Sequence, residues 1–198
     1  RPAVQLLDKP METHMTQSRL DKLNASLSTG KLDSVILNPG PTLTYLTGLH
    51  FHLMERPVVL LFAKDQIPAL VLPELELQKV ADLPYKLQVF SYSEDPSEWD
   101  NAFRKAAQAL GLDGKRIGVE PRQLRLLEFN YVKNAAPEAD FPDASEALSQ
   151  LRLRKDKMEV EAMRRAVQIA QSALEATIPL IKIGMTEKEL SSELVTQL

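Results

Sequence analysis

From Thr16 to Pro142 the chain alternates short, apolar-rich runs with longer segments whose apolar residues recur at helical spacing. That alternation restricts it to layered α/β architectures. Ser34 to Leu37 is a short apolar run, Val58 to Phe62 is an uninterrupted apolar run, and Ala69 to Leu72 follows after the turn residues Lys64-Asp65. Two such runs joined by a short polar turn predict a hairpin, so the sheet is mixed instead of purely parallel. Lys86 to Phe90, Arg116 to Val119 and Ala139 to Phe141 read as further strands.

The intervening helices are equally marked. Thr16 is placed to cap a helix carrying Leu20, Leu23 and Leu27, with Gly30 as its stop. Asn38-Pro39-Gly40-Pro41 ends the first strand, and a short helical turn through Leu43, Tyr45 and Leu46 is closed by Gly48. Pro73 is expected to start a helix with Leu77 and Val80 facing inward. Trp99, Phe103, Ala106 and Leu110 mark one face of another, and Leu124 to Val132 is helical. The fold class expected is therefore α/β, a mixed β-sheet flanked by helices.

Residues 1–14 precede this periodic region and read as a flexible leader or cloning remnant, with His14-Met15 as the junction. After residue 150 the character changes again. Ser145 to Leu151 is a short helix, Arg152, Arg154, Lys155 and Lys157 make a basic stretch, and Val160, Met163, Val167, Ala170, Leu174 and Ile178 keep the spacing of one long helix. Pro179 closes it, and Thr186 with Glu189 forms a capping-box pattern opening a last helix. The apolar faces of these helices need a partner, so 151–198 reads as the beginning of a further domain cut off at Leu198.

The absence of cysteine removes disulfides, thiolate nucleophiles and Cys-containing zinc sites. The net charge of −3 gives no drive towards nucleic acid. No signal peptide or membrane-spanning run is present, and a cytoplasmic location is the expectation. No G-x-S-x-G elbow occurs, and the glycines 111, 114 and 118 lack the context of a phosphate loop. Glu120, following a strand, reads as structural. The basic stretch 152–157 has no interleaved aromatics and reads as a solvated linker.

Two of the three histidines, His50 and His52, share the segment after Gly48 with Glu55 and Arg56. Spacing of i and i+2 on extended chain turns both imidazoles to one side. Two readings stand open: a minimal metal site of His50, His52 and Glu55 with a free position, or polar residues on a loop facing a ligand or an interface. No oriented base or nucleophile accompanies them.

The ordered series Asn38-Pro39, Tyr45-Leu46-Thr47-Gly48, the strand pair, Arg116-Ile117-Gly118-Val119-Glu120, and the junction Leu151 to Lys157 leading into Glu159 to Ala166 resembles the amino-terminal half of the creatinase, prolidase and Xaa-Pro aminopeptidase family of metallopeptidases. Gly184-Met185-Thr186-Glu187-Lys188-Glu189-Leu190 is similar to that family's next helix start. The resemblance implies a non-catalytic N-terminal domain over 15–150, then a linker and the first helices of a truncated pita-bread catalytic domain over 151–198. It implies a parent that cleaves the bond before proline with two divalent metals, manganese or cobalt, whose ligands all lie beyond Leu198. No catalytic and no metal residue is then assigned here. The partners implied are the C-terminal catalytic domain of the same chain, a second subunit in a homodimer, and a peptide substrate. His50, His52, Glu55 and Arg56 become the candidate substrate-access or interface loop. A creatinase-like amidinohydrolase and a non-catalytic binding or scaffold relative share the same architecture.

Overall fold

The computed structural model describes the backbone of residues 9–198 and the side chains from Gln17 onward. It divides into two compact units, Arg1–Arg152 and Leu153–Leu198. The first unit is built on a five-stranded sheet of β1 (Ser34–Leu37), β2 (Val59–Ala63), β3 (Ala69–Pro73), β4 (Gln88–Tyr92) and β5 (Ile117–Val119), in the order β4-β3-β2-β1-β5. The pairs β1–β2 and β2–β3 are antiparallel, while β1–β5 and β3–β4 are parallel. The mixed sheet follows from the hairpin expected around Lys64-Asp65, where Asp65 adopts φ 58°.

Helices cover both faces, and this is why the central strands are apolar but for Ser34. Val35 and Leu37, Leu60 and Phe62, and Leu70 and Leu72 point to one side. There they pack with Leu20, Leu23 and Leu27 of α1 (Lys9–Thr29), Leu43 and Leu46 of α2 (Pro41–Thr47), and Leu148 and Leu151 of α5 (Ser145–Leu153). The alternate residues Ile36, Val59, Leu61, Ala69 and Val71 meet Phe103, Ala106 and Leu110 of α3 (Pro96–Leu110) and Val132 of α4 (Leu126–Ala135) on the other. A one-residue slip of β1 or β2 would exchange these two cores, so side-chain shape on both faces fixes the register. Asp95 caps α3 by accepting from the Ser97 N–H at 2.9 Å, which holds its carboxyl below the usual carboxylate range.

Four local expectations change. The helix expected to start at Thr16 runs from Lys9, with Pro10 in its first turn, where a missing N–H costs no intrahelical bond. The leader expected over 1–14 thus falls partly on helix, and partly outside the described residues. At the other end of α1 the left-handed residue is Lys31, φ 54°, and not Gly30. The segment after Pro73 is a 3-10 helix, Glu74–Val80, on which Leu77 is exposed and no residue is fully buried. Finally, Ala139 to Phe141 is no strand: isolated bridges join Arg116 to Asp140 and Val119 to Asp143. Pro142 has no N–H to extend a ladder there.

The second unit holds α6 (Lys157–Thr177), a short 3-10 turn Ile178–Leu180 and α7 (Glu187–Gln197). Both helices open with complete capping boxes, Asp156 with Glu159 and Thr186 with Glu189. On α6 only Ala173 and Thr177 are buried, while Met163, Val167 and Leu174 are exposed. No helix among the described residues is long and apolar enough to cross a membrane.

Candidate functional site

Gly48 ends α2 in the left-handed conformation, φ 72°, and its N–H returns to the Thr44 carbonyl. From there to β2 the chain has no regular structure, yet its backbone is held at Leu49, His50, Met54 and Pro57. Leu49 O accepts from Thr44 Oγ1 at 2.9 Å, and Leu49 N donates to Thr47 Oγ1 at 3.1 Å. Lys79 donates to His50 O at 3.2 Å, and its ammonium lies 5.0 Å from the Phe51 ring centroid. Arg125 donates to Met54 O at 2.5 Å, and Tyr92 donates to Pro57 O at 2.7 Å. Arg56 itself is turned back: its Nε donates to Glu94 at 2.9 Å, with Glu55 at 3.9 Å. Bonding to Glu94 is the main cause that raises its guanidinium above the ordinary value.

Against this fixed backbone His50, His52 and Glu55 are exposed, together with Leu53 and Met54. Arg56 is partly buried in its carboxylate pair, so it shapes the loop more than it offers a free cation. Among the described residues there is no group of three histidines, aspartates or glutamates placed to hold a metal ion. The loop presents imidazole, carboxylate and apolar groups without a nucleophile or an oriented base.

Several of its supports went unnoticed in the sequence. Arg125 is clamped to Glu128 through two 3.0 Å bonds from Nε and a further bond from Nη2. Glu128 is fully buried, and the Arg125 guanidinium is raised chiefly by that bond. The i,i+3 spacing of Arg125 and Glu128 was the only local sign of the pair. Tyr85 donates to Thr47 O at 2.6 Å, and burial pushes its hydroxyl up to about 12. A phenol raised in the folded state contributes stability that is full below its unfolded value near 10 and is lost as pH rises towards the folded value. Tyr85→Phe is therefore expected to flatten the fall in melting temperature between about pH 10 and 12. A profile identical to that of the unsubstituted chain would contradict this.

Beside the loop, the ends of β1 and β5 lie in parallel. Glu120, just past β5, accepts from Thr42 Oγ1 of α2 at 2.8 Å, which makes it a structural acceptor. Asn38, at the end of β1, is 1% exposed, and neither atom of its amide has a partner among the described residues. An unmet buried amide costs about 1–3 kcal/mol. The isosteric Asn38→Leu is expected to stabilise the chain by about 1 kcal/mol in urea titration. A loss of that size would instead indicate an enclosed water bonded to the amide.

The mixed sheet is thus covered on both faces, with an exposed polar loop between α2 and β2 and no metal-ligand cluster among the described residues. Residues 19–154 match the family described as the creatinase/prolidase N-terminal domain, and the chain belongs to that family. It is 28% identical over 184 residues to an Xaa-Pro dipeptidase of Lactobacillus helveticus, covering 90% of this chain and 49% of the relative. The structure of a dipeptidase from Pyrococcus horikoshii OT3 superposes with TM-score 0.72 at 27% identity, covering 90% of this chain and 49% of that one. A proline dipeptidase structure from Streptococcus pneumoniae is 31% identical with TM-score 0.59, over 69% of this chain and 98% of that one. The chain thus spans about half the length of the first two relatives.

Proposed function

We propose that this chain is the N-terminal, non-catalytic portion of a metal-dependent Xaa-Pro peptidase, a cytoplasmic enzyme that hydrolyses the peptide bond preceding proline. In this reading residues 15–150 form the N-terminal domain, and 151–198 are the linker and first helices of the catalytic domain. The observation that carries it is the family match over residues 19–154, joined to relatives named for Xaa-Pro dipeptidase activity. The parent enzyme would use two divalent ions, manganese or cobalt. The residues described here do not fit such a pair, since no three ligating side chains converge, and no chemical step is assigned to them.

The contribution of this portion is to substrate access and dimerisation. Exposed His50, His52 and Glu55, on a backbone held by Lys79, Arg125 and Tyr92, suit the mouth of a site or a subunit contact. Holding polar groups on a fixed frame lowers the entropy lost when a ligand is oriented. Arg56, paired with Glu94, keeps the loop in place. The test is an assay of the longer protein that carries this sequence, supplied with manganese, on Xaa-Pro dipeptides and on creatine. Hydrolysis of the dipeptides alone is expected. Turnover of creatine alone would point to an amidinohydrolase, and loss of both in metal-replete protein to a binding relative; either result contradicts the proposal.

A further inference from the structure

The two edges of the sheet are treated differently. Along β5 the following segment covers the edge, with Ile117 N donating to Asp140 O at 2.8 Å and Val119 N to Pro142 O at 2.9 Å. Along the outer edge of β4 no strand or bridge pairs among the described residues. The strand reads Gln88-Val89-Phe90-Ser91-Tyr92, without charge, proline or glycine. The charges and prolines that commonly blunt an open edge are missing from it. Gln88 N donates inward to Pro68 O at 2.9 Å. By alternation Phe90 and Tyr92 also bond inward, and Val89 and Ser91 present their N–H and C=O groups outward.

A groove of about 320 Å³ runs beside this edge, lined by Glu74, Glu98, Asn101 and Lys105 among others. Helix α3 returns antiparallel to β4. Trp99 lies 5.2 Å from Tyr92 at one end, and Leu110 O accepts from Gln66, in the turn before β3, at the other. The groove is therefore acidic at its Tyr92 end, through Glu74 and Glu98, and basic towards Val89, through Lys105. Lys105 has no ion pair among the described residues. On the α3 side of the edge Phe90 is only partly buried, and on the opposite side Val89 is 37% exposed.

We propose that the β4 edge docks a second copy of this chain, strand antiparallel to strand, about a two-fold axis at Phe90. Val89 then exchanges both backbone bonds with Ser91 of the second copy, and the reverse pair does the same. The two Phe90 residues meet at the non-hydrogen-bonded position, where side chains approach most closely. The axis also lays Glu98 over Lys105 of the second copy, and Lys105 over its Glu98. This self-complementary polarity singles out a second copy, because an extended peptide needs only the backbone edge. The proposal goes beyond the peptidase reading, which assigns a homodimer and offers only the loop of His50, His52 and Glu55 as a contact.

Sedimentation equilibrium of the 198-residue chain tests it, with Ser91→Pro, Glu98→Lys, Lys105→Glu and the double charge exchange. Ser91 donates outward, so proline there removes no bond within the fold, and circular dichroism verifies that each variant is folded. A concentration-dependent dimer is expected. Ser91→Pro should raise its dissociation constant at least about ten-fold. Each single reversal should raise it roughly five-fold, and the double exchange should return it to within about two-fold. Monomer at every concentration overturns the proposal and leaves the edge to an extended peptide. A dimer indifferent to all four substitutions also overturns it, while leaving a homodimer through another surface intact.

Discussion

Replacing Arg125 by alanine is expected to lower the stability of the N-terminal unit by about 3 kcal/mol. The cause is the carboxylate it leaves behind. Glu128 is fully buried, and Arg125 is the side chain that bonds it. Removing one member of a buried pair strands the other charge at a cost of about 3–5 kcal/mol, and the low end applies because Arg125 is itself 30% exposed. The same substitution frees the Met54 carbonyl, so the loop of His50, His52 and Glu55 loses one of its anchors. Urea titration measures the first effect, and amide exchange across residues 49–57 the second. Replacing both Arg125 and Glu128 by leucine should restore most of the stability and none of the loop protection. A single alanine variant within about 0.5 kcal/mol of the original would show that the pair is solvated.

Gly118→Ala is the next largest, at about 2–3 kcal/mol. Gly118 lies in β5 opposite Val35 of β1, and an added Cβ would fall 2.8 Å from Ala144 Cβ and 2.9 Å from Leu32 Cδ1. The leucine terminus can turn away. Ala144 cannot, because its Cβ is fixed to a backbone whose N–H donates to Val119 O at 2.8 Å. The strand must move away from the start of α5, and the melting temperature should fall by roughly 4–12 °C for a unit of this size. Pairing the change with Ala144→Gly should recover most of the loss. An unchanged melting temperature for Gly118→Ala alone would refute this account of the close approach.

These two sites also mark where sequence reasoning reached its limit. The apolar runs at 34–37, 58–62 and 69–72 were legible because strands buried on both faces leave little room for polar residues, Ser34 being the exception, and the capping box at Thr186 because its partners lie three residues apart. The loop carrying His50 and His52 was legible as a polar stretch after a helix-ending glycine. Its supports were not. Lys79, Tyr92 and Arg125 reach it, and Tyr85 reaches Thr47 at the end of α2, each through one backbone carbonyl, and a carbonyl leaves no trace in side-chain identity. The same limit hid the start of α1, where Lys9-Pro10 resembles a break and acts as a first turn. It also made Ala139 to Phe141 look like a strand, although its pairing stops at two single bridges.

In the function we propose, this stretch of chain shapes an Xaa-Pro peptidase without performing its chemistry. The most direct test is hydrolysis of Xaa-Pro dipeptides by the purified 198-residue chain, with and without manganese, beside a bound-metal determination on the same sample. No turnover above the buffer rate and no stoichiometric metal are expected. Manganese-dependent turnover with one or more ions bound per chain would contradict it, and His50, His52 and Glu55 would then be the first residues to replace.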